Sequence, residues 1–196
     1  MLIKGTEDLR VQKTMERIDD AFCQLLLEKA YENISVTEIC RRAKIQRKTF
    51  YTYYSSTDAL LKEKLAAMTS DYVERIRNFL VPEQLSDITR EFYLFSKDQG
   101  ALYERIICSA DYHAIGSNLL KDFVRKTWQD SPWFQSLGLG EQNLLLTFIY
   151  NTGAGLYRQW VEDGKIIPIE AMALIAESFL KEGTIGFSKA LKKEYV

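Results

Sequence analysis

Apolar residues recur at steps of three and four along most of this chain, which is the spacing of one face of an α-helix. Helix breakers are scarce, because only three prolines and ten glycines interrupt the 196 residues. The helical spacing and the scarcity of breakers together predict an all-α protein.

The first predicted helix runs from about Leu9 to Lys29 and carries a single apolar stripe. The stripe consists of Ile18, Ala21, Phe22, Leu25 and Leu26. A second helix opens at Ser35, because Ser35 and Glu38 match a capping box, in which each side chain satisfies a backbone donor at the helix start. The residues of this helix that we expect to face inward are Val36, Ile39, Cys40 and Ala43.

A short third helix is predicted from about Gln46 to Tyr53, and a long fourth helix from about Thr57 to Leu80, with Ser55 and Ser56 as further N-cap candidates. The later predicted helices cover about 83–97, 101–110, 114–129, 141–163 and 168–193. The stretch 131–140 is predicted to be a loop. Gly183 marks a point at which the last helix can break.

Composition and charge narrow the class of protein. With 46% hydrophobic residues, 27% charged residues and a net charge of −1, the chain has an ordinary soluble composition and is no general polyanion binder. Three widely separated cysteines without metal-ligand or redox spacing favour a reduced, cytoplasmic compartment. No signal peptide or membrane span is predicted. We find no catalytic constellation, metal site or cofactor motif, so we expect a protein that is not an enzyme.

Positive charge is concentrated in the second and third predicted helices, between Ser35 and Tyr54. Five basic residues lie there, opposed only by Glu38: Arg41, Arg42, Lys44, Arg47 and Lys48. Residues 1–65 as a whole hold 12 Lys and Arg against 10 Asp and Glu, so the excess is local. A compact basic helix pair favours DNA binding. The plainer alternative is a solvated surface, since charge runs on short helices often have no further role.

The third helix is too short to be stable alone and needs a brace. Ile45, Phe50 and Tyr54 are its candidates for the inward side. The residues left for the major groove are Gln46, Arg47, Lys48, Thr49 and Thr52. In that groove arginine and lysine pair with guanine or phosphate, and glutamine reads adenine. The further DNA contacts that we predict are Tyr51, Tyr53, Thr37 at the start of the second helix, Arg41, Arg42 and Lys44.

Residues 14–65 resemble the TetR family of bacterial one-component regulators in the order of their motifs. The matching pieces are Ile18-x-x-Ala21-Phe22-x-x-Leu25, Glu28-x-Ala30-Tyr31, Ser35-Val36-x-x-Ile39-Cys40-x-x-Ala43, Thr49-Phe50-Tyr51-x-Tyr53-Tyr54 and Leu60-Leu61. The resemblance implies an N-terminal three-helix helix-turn-helix DNA-binding domain, residues 1–56, joined by a long helix to a helical ligand-binding and dimerisation domain, residues 57–196.

The same resemblance implies a homodimeric repressor that binds a near-palindromic double-stranded DNA operator and is released by a small-molecule inducer. It implies that Tyr51 touches phosphate. The positions that it implies for base reading are Gln46, Arg47, Lys48, Thr49 and Thr52.

The chain departs from the family pattern at four positions. The family usually has glycine where Ala30 and Lys44 stand, often has serine or threonine where Gln46 stands, and often has a phosphate-gripping lysine where Thr57 stands. A residue other than glycine at position 44 requires a different turn or a positive φ. The departures at Lys44, Gln46 and Thr57 keep a second hypothesis open, in which the chain is a small-molecule or protein-binding co-regulator that retains the helical head without reading DNA.

The helix predicted over 141–163 is apolar on two sides, which indicates burial on both. One side holds Leu145, Phe148, Ile149, Thr152 and Leu156, and the other holds Leu146, Tyr150, Gly153, Tyr157, Trp160 and Val161. We expect one side to meet a second subunit, in a homodimer formed through helices at about 141–163 and 168–182. Aromatic residues are plentiful in this part of the chain, and those that we select for an apolar inducer pocket are Tyr93, Phe123, Trp128 and Tyr150.

Overall fold

A computed structural model of the protein describes residues 9–109 and 113–191. The α-helices in these ranges are α1 (Leu9–Glu28), α2 (Val36–Ala43), α3 (Arg47–Tyr53), α4 (Thr57–Arg75), α5 (Leu85–Lys97), α6 (Gly100–Cys108), α7 (His113–Trp128), α8 (Pro132–Gln135), α9 (Leu139–Glu162) and α10 (Ile169–Leu191). One turn of 3-10 helix, Tyr31–Asn33, connects α1 to α2. The predicted all-α fold is confirmed.

The chain divides into two compact units. The first comprises residues up to Thr69 together with Ala101–Gly116, and the second comprises Ser70–Gly100 together with the residues from Ser117 onward. α4 therefore contributes to both units, and nearly all of α6 belongs to the first. The predicted boundary between residues 56 and 57 separates two functions rather than two compact units, and it stays a prediction.

The first unit is organised by the apolar stripe of α1, which is buried as predicted. The buried stripe residues are Ile18, Ala21, Phe22, Leu25 and Leu26. Full burial of a leucine, isoleucine or phenylalanine side chain stabilises a fold by about 1.5–3 kcal/mol. Three of the four inward residues predicted for α2 are also buried, namely Ile39, Cys40 and Ala43, whereas Val36 is half-buried.

In the second unit α5 and α10 are antiparallel neighbours, and two ion pairs run between them. Lys97 Nζ lies 2.8 Å from Glu170 Oε1, and Arg90 Nε lies 4.0 Å from Glu177 Oε1. The two pairs are seven residues apart on each helix, which is two helical turns. The polar contacts therefore run alongside the apolar residues that α5 and α10 bury.

α9 packs in the same unit through two tyrosines. The Tyr93 hydroxyl of α5 donates to the Gly153 carbonyl oxygen at 3.1 Å, and the Tyr157 hydroxyl of α9 donates to the Ser96 carbonyl oxygen at 3.1 Å. Both tyrosine rings are fully buried. Because a buried hydroxyl needs a partner, these two bonds fix how α5 and α9 lie against each other.

The fourth helix is shorter than predicted. α4 ends at Arg75, whereas the sequence predicted an end at Leu80. Pro82 follows closely and has no backbone N–H to offer to a continuing helix. The Leu80 amide instead donates to the Gln84 side chain at 2.8 Å, which forms a turn before α5.

The predicted loop at residues 131–140 was wrong, because it contains α8 and the start of α9. Ser131 is the N-cap of α8, and its hydroxyl oxygen accepts from the Phe134 amide at 3.4 Å. Gly138 is the N-cap of α9, and its amide donates to the Glu141 carboxylate at 2.6 Å. Both starts follow known capping rules, which the proline and the two glycines of this stretch obscured.

The predicted break at Gly183 was also wrong, since α10 continues through this residue to Leu191. Glycine weakens a helix by only about 1 kcal/mol, and packing offsets that loss. The ring of Phe148 in α9 lies against the glycine at this position.

Candidate nucleic-acid interface

The start of α2 is fixed by a cap and an ion pair. Ser35 is the N-cap, and its hydroxyl oxygen accepts from the Glu38 amide at 3.3 Å. This is one of the two bonds of the predicted capping box. The Glu38 carboxylate forms an ion pair with Lys29, which connects the start of α2 to the end of α1.

The turn between α2 and α3 is made by Lys44 in the left-handed conformation, with φ 54° and ψ 48°. Its amide donates to the Arg41 carbonyl oxygen at 3.4 Å, and the Ile45 amide donates to the Cys40 carbonyl oxygen at 3.0 Å. These bonds satisfy the last carbonyls of α2, as glycine does in a Schellman turn. The lysine therefore keeps the turn that the usual glycine makes, at a cost of about 1–2 kcal/mol for a left-handed residue with a side chain.

α3 is anchored from behind by two aromatic residues predicted to face inward. Phe50 is fully buried and Tyr54 nearly so, with ring centres 5.7 Å apart. The Tyr54 hydroxyl donates to Glu63 Oε1 at 3.2 Å, which connects the end of α3 to α4. Burial and the neighbouring Glu63 carboxylate raise the pKa of this phenol, so it stays protonated and remains a donor.

The outward side of α3 carries the residues predicted for the groove. The exposed residues are Gln46, Arg47, Lys48, Tyr51 and Thr52, while Thr49 is half-buried. Gln46 is the N-cap of α3, and among the described residues its side chain makes no capping bond. The Thr52 hydroxyl donates to the Lys48 carbonyl oxygen at 3.0 Å, so its oxygen can still accept from outside.

Arg47 and Tyr51 are in contact on this outward side. The Arg47 guanidinium carbon lies 5.9 Å from the centre of the Tyr51 ring, and Nη2 lies 3.4 Å from the Tyr51 hydroxyl. Tyr51 is 43% exposed. The outward face of α3 therefore presents a guanidinium alongside a phenol rather than two independent side chains.

Arg42 is engaged within the protein. Its two terminal nitrogens donate to the two carboxylate oxygens of Glu28 at 2.6 and 2.7 Å. These bonds lower the pKa of the Glu28 carboxyl and raise that of the Arg42 guanidinium. A bidentate pair is a structural clamp between α1 and α2, so we leave Arg42 out of the proposed interface although the sequence placed it there.

Tyr53 requires a correction. The sequence predicted it as a further DNA contact, but the residue is only 7% exposed and belongs to the buried side of α3. Phenylalanine or tyrosine occupies four of the five positions from 50 to 54. The sequence pattern alone therefore does not show which of these rings face inward. Thr37, Arg41 and Lys44 are exposed, as a nucleic-acid contact requires.

The residues predicted for an inducer pocket lie in the second unit and have differing environments. Tyr93 is fully buried and bonded to Gly153, and Trp128 is buried edge-to-face against Phe134, with ring centres 5.7 Å apart. Both already have structural roles. Phe123 and Tyr150 are half-buried, and burial raises the pKa of the Tyr150 hydroxyl to about 12. Their assignment to a ligand stays a prediction.

The outward side of α10 carries an exposed apolar face. Leu174 is 61% exposed and Phe179 is 55% exposed, with Ile175 and Ile185 also accessible. Leu144 of α9 is exposed too. Scattered exposed leucines are ordinary, but three large apolar residues within six positions of one helix form a patch.

Sequence reasoning missed Arg105. Its guanidinium, on α6, donates to the Leu26 carbonyl oxygen in the last turn of α1, within the first unit. The last carbonyls of a helix have no partner inside it, and an arginine can satisfy one of them. The partner is a backbone atom 79 positions away, so no sequence signal marks the contact.

The order of α1 to α3, the tight turn at Lys44 and the exposed cationic side of α3 define a helix-turn-helix protein. The comparisons with known proteins agree. Residues 18–63 match the family model "Bacterial regulatory proteins, tetR family". Over these residues the chain is similar to the N-terminal domain of TetR-family regulators.

Two named relatives match part of the chain. The uncharacterized HTH-type transcriptional regulator YxbF of Bacillus subtilis (strain 168) is 30% identical over 80 residues, which are 40% of this chain and 21% of that protein. The HTH-type dhaKLM operon transcriptional activator DhaS of Lactococcus lactis subsp. lactis (strain IL1403) is 44% identical over 48 residues, which are 24% of this chain and 26% of that protein. The matches therefore span about a quarter or less of each relative.

The fold extends the likeness to nearly the whole chain. The crystal structure of a putative TetR-family transcriptional regulator from Syntrophomonas wolfei has a TM-score of 0.62 at 18% identity and covers 89% of this chain and 96% of its own. At that identity the similarity shows the fold alone. Among the described helices, none is both long enough and apolar enough to cross a bilayer.

Proposed function

We propose that the protein is a ligand-responsive, TetR-type cytoplasmic repressor that binds a near-palindromic operator as a homodimer and is released by a small molecule. The observation that carries the proposal is the two-sided build of α3. Phe50 and Tyr54 are buried on one side, and Arg47 and Lys48 are exposed on the other. A braced helix with a cationic outer side fits the major groove of DNA.

The predicted contacts divide into two kinds. Gln46, Arg47, Lys48, Thr49 and Thr52 are assigned to base edges. Arg41, Lys44, Thr37 and Tyr51 are assigned to phosphates, which position the protein without reading sequence. Arg42 is bound by Glu28 and Tyr53 is buried, so neither is assigned a contact. The positive charge of the interface is thus supplied by four residues, Arg41, Lys44, Arg47 and Lys48.

A homodimer is proposed through the outward sides of α9 and α10, within the predicted ranges of about 141–163 and 168–182. The exposed Leu174, Ile175 and Phe179 of α10 are the residues that such an interface would bury. Two heads about 34–36 Å apart would read half-sites one turn of DNA apart. Each head then needs only modest affinity, since the second binds at high effective concentration.

Residues 57–196 are proposed as the ligand-binding and dimerisation domain. Phe123 and Tyr150 are the stronger of the four predicted ligand contacts, because they are half-buried, whereas Tyr93 and Trp128 are buried. An inducer acts by binding more tightly to the conformation that binds DNA weakly.

The test is fluorescence anisotropy with labelled DNA from upstream of the protein's own gene, titrated at several salt concentrations. We expect specific binding whose affinity falls steeply with salt, because phosphate contacts release counterions. Arg47→Ala and Lys48→Ala should each weaken binding about tenfold. Arg77→Ala is the matched control, since Arg77 is 68% exposed in the other unit. Unchanged affinity in both α3 variants would reject the groove assignment.

A second candidate is a transcriptional activator, which the name of the L. lactis relative favours. An activator would bind the operator in the same way. A reporter assay with and without the protein distinguishes activation from repression. The co-regulator hypothesis now rests on Gln46 and Thr57, because Lys44 keeps the required turn. A dimer that binds a ligand but recovers no fragment from a genomic DNA selection would support that hypothesis.

A further inference from the structure

Arg47 and Tyr51 lie one helical turn apart on α3 and contact each other in two ways. The guanidinium carbon is 5.9 Å from the centre of the Tyr51 ring, and Nη2 is 3.4 Å from the Tyr51 hydroxyl oxygen. A cation within about 6 Å of a ring centre is attracted by the ring quadrupole. The ring and the hydroxyl together favour one direction for the guanidinium.

The Tyr51 ring is in turn held from inside the protein. It packs edge-to-face against Phe50, with ring centres 5.6 Å apart and an interplanar angle of 88°. Phe50 is fully buried. A tyrosine has far fewer rotatable bonds than an arginine, so its orientation is inexpensive to fix. The contacts thus extend from the core, through Tyr51, to an exposed arginine.

We propose that Tyr51 is a specificity-determining residue that positions Arg47 for bidentate pairing with one guanine, in addition to any phosphate contact of its own. The proposal rests on the proposed DNA-binding function. Bidentate pairing to the O6 and N7 of guanine requires a defined guanidinium plane. An arginine held in that plane before binding loses less side-chain freedom on binding. Preorganisation therefore raises affinity for the correct base pair more than for the others.

The experiment is a double-mutant cycle with a fluorescein-labelled duplex recovered from genomic fragments by selection on the wild-type protein. The variants are Tyr51→Phe, Arg47→Ala and the combination of both. Tyr51→Phe keeps the ring against Phe50 and removes only the hydroxyl, so the fold is preserved. Arg41→Ala, alone and combined with Tyr51→Phe, is the control cycle, because Arg41 is an exposed cation on another helix. Each protein is also titrated against duplexes with single base-pair changes.

We expect Tyr51→Phe to weaken binding about threefold in the wild type, because the variant loses the hydrogen bond with Arg47, and to weaken it by a clearly smaller factor when Arg47 is already alanine. In the Arg41→Ala background the effect should stay about threefold, since the two sites do not share a contact. Tyr51→Phe should also reduce discrimination at the same base pair as Arg47→Ala, and at no other.

A tyrosine that only touches phosphate behaves differently. Its loss would weaken binding to all duplexes uniformly and by the same factor in every background, and that result overturns the proposal. An Arg47→Ala variant that binds normally overturns it too, while the proposed DNA-binding function stands. If the wild-type protein recovers no fragment in the selection, the proposed function itself fails.

Discussion

The ring of Phe148 in α9 lies directly against Gly183 in α10. A β-carbon on Gly183 would lie 2.9 Å from Phe148 Cε1 and 3.3 Å from Cε2, both closer than the usual 3.5–4.0 Å between carbon atoms. The glycine that looked like a helix break is therefore the place where two helices approach closely. Its missing side chain makes room for the ring.

Gly183→Ala should destabilise the protein despite the better helix propensity of alanine. We expect the free energy of unfolding to fall by about 1–3 kcal/mol, because the ring must move off its packed position. Thermal or urea unfolding measures the change. Gly186→Ala is the matched control, because it lies on the same helix with no atom within 4 Å of an added β-carbon. That variant should gain up to about 1 kcal/mol, and equal gains at both positions would reject the contact.

Lys44→Gly should stabilise the protein, because the left-handed turn at φ 54° disfavours a residue with a side chain. We expect a gain of about 0.5–1 kcal/mol, since glycine's extra freedom in the unfolded chain offsets part of the relieved strain. Lys44→Ala is the control: it removes the same charge and keeps the β-carbon, so it should not be stabilised. Unfolding curves in urea distinguish the two. If Lys44→Gly and Lys44→Ala gain the same stability, the lost charge, rather than the backbone conformation, is responsible for the gain.

The Glu28–Arg42 clamp predicts a pH dependence. Bonds from Arg42 lower the pKa of Glu28 in the folded chain below its ordinary value of 4.5. The folded state thus holds this proton less tightly than the unfolded state, so the stabilisation is present above pH 4.5 and is lost as the pH falls through the lowered pKa. Arg42→Ala should lower the urea midpoint at pH 7, and the difference from the wild type should shrink as the solution is acidified toward pH 3.

The same variant tests whether Arg42 contacts DNA. Because its guanidinium is bound by Glu28, Arg42→Ala should weaken operator binding much less than Arg47→Ala does. An equal loss of affinity in the two variants would return Arg42 to the interface, where the sequence first placed it.

Arg105→Ala should loosen the end of α1. The variant leaves the Leu26 carbonyl without the donor that it now has, at an expected cost of about 1–2 kcal/mol for a bond from a charged group. Amide hydrogen exchange at Lys29, which donates to the Leu25 carbonyl oxygen at 3.1 Å, reports on the same turn. We expect the Lys29 amide to exchange faster in Arg105→Ala and at the wild-type rate in Arg77→Ala, which is the control. Unaltered exchange would show that water replaces the arginine without loss.

What could be predicted from the sequence depended on how local each interaction is. The stripe of α1 and the Ser35 cap follow from neighbouring residues, and both were predicted correctly. The contact of Arg105 with Leu26 joins residues distant in sequence and left no pattern. Tyr53 was placed outward although it is 7% exposed, because the run of aromatic residues at 50–54 does not by itself show which rings face inward. A base-reading role for Arg47 stays a prediction, because only an experiment with DNA can test it.

The exposed apolar face of α10 gives the sharpest test of the proposed dimer. Phe179 is 55% exposed and lies one turn from Ile175, so Phe179→Glu would place a charge at the centre of that face. Burying an unpaired carboxylate in an apolar interface is strongly unfavourable, and we expect a monomer by sedimentation. Its operator affinity should fall about a hundredfold or more, because the second head no longer binds at high effective concentration. Leu80→Glu is the control, since Leu80 is similarly exposed outside the helices, and it should leave the dimer intact. If Phe179→Glu also sediments as a dimer, the subunits associate through another surface, and the two heads would then need a different spacing on DNA.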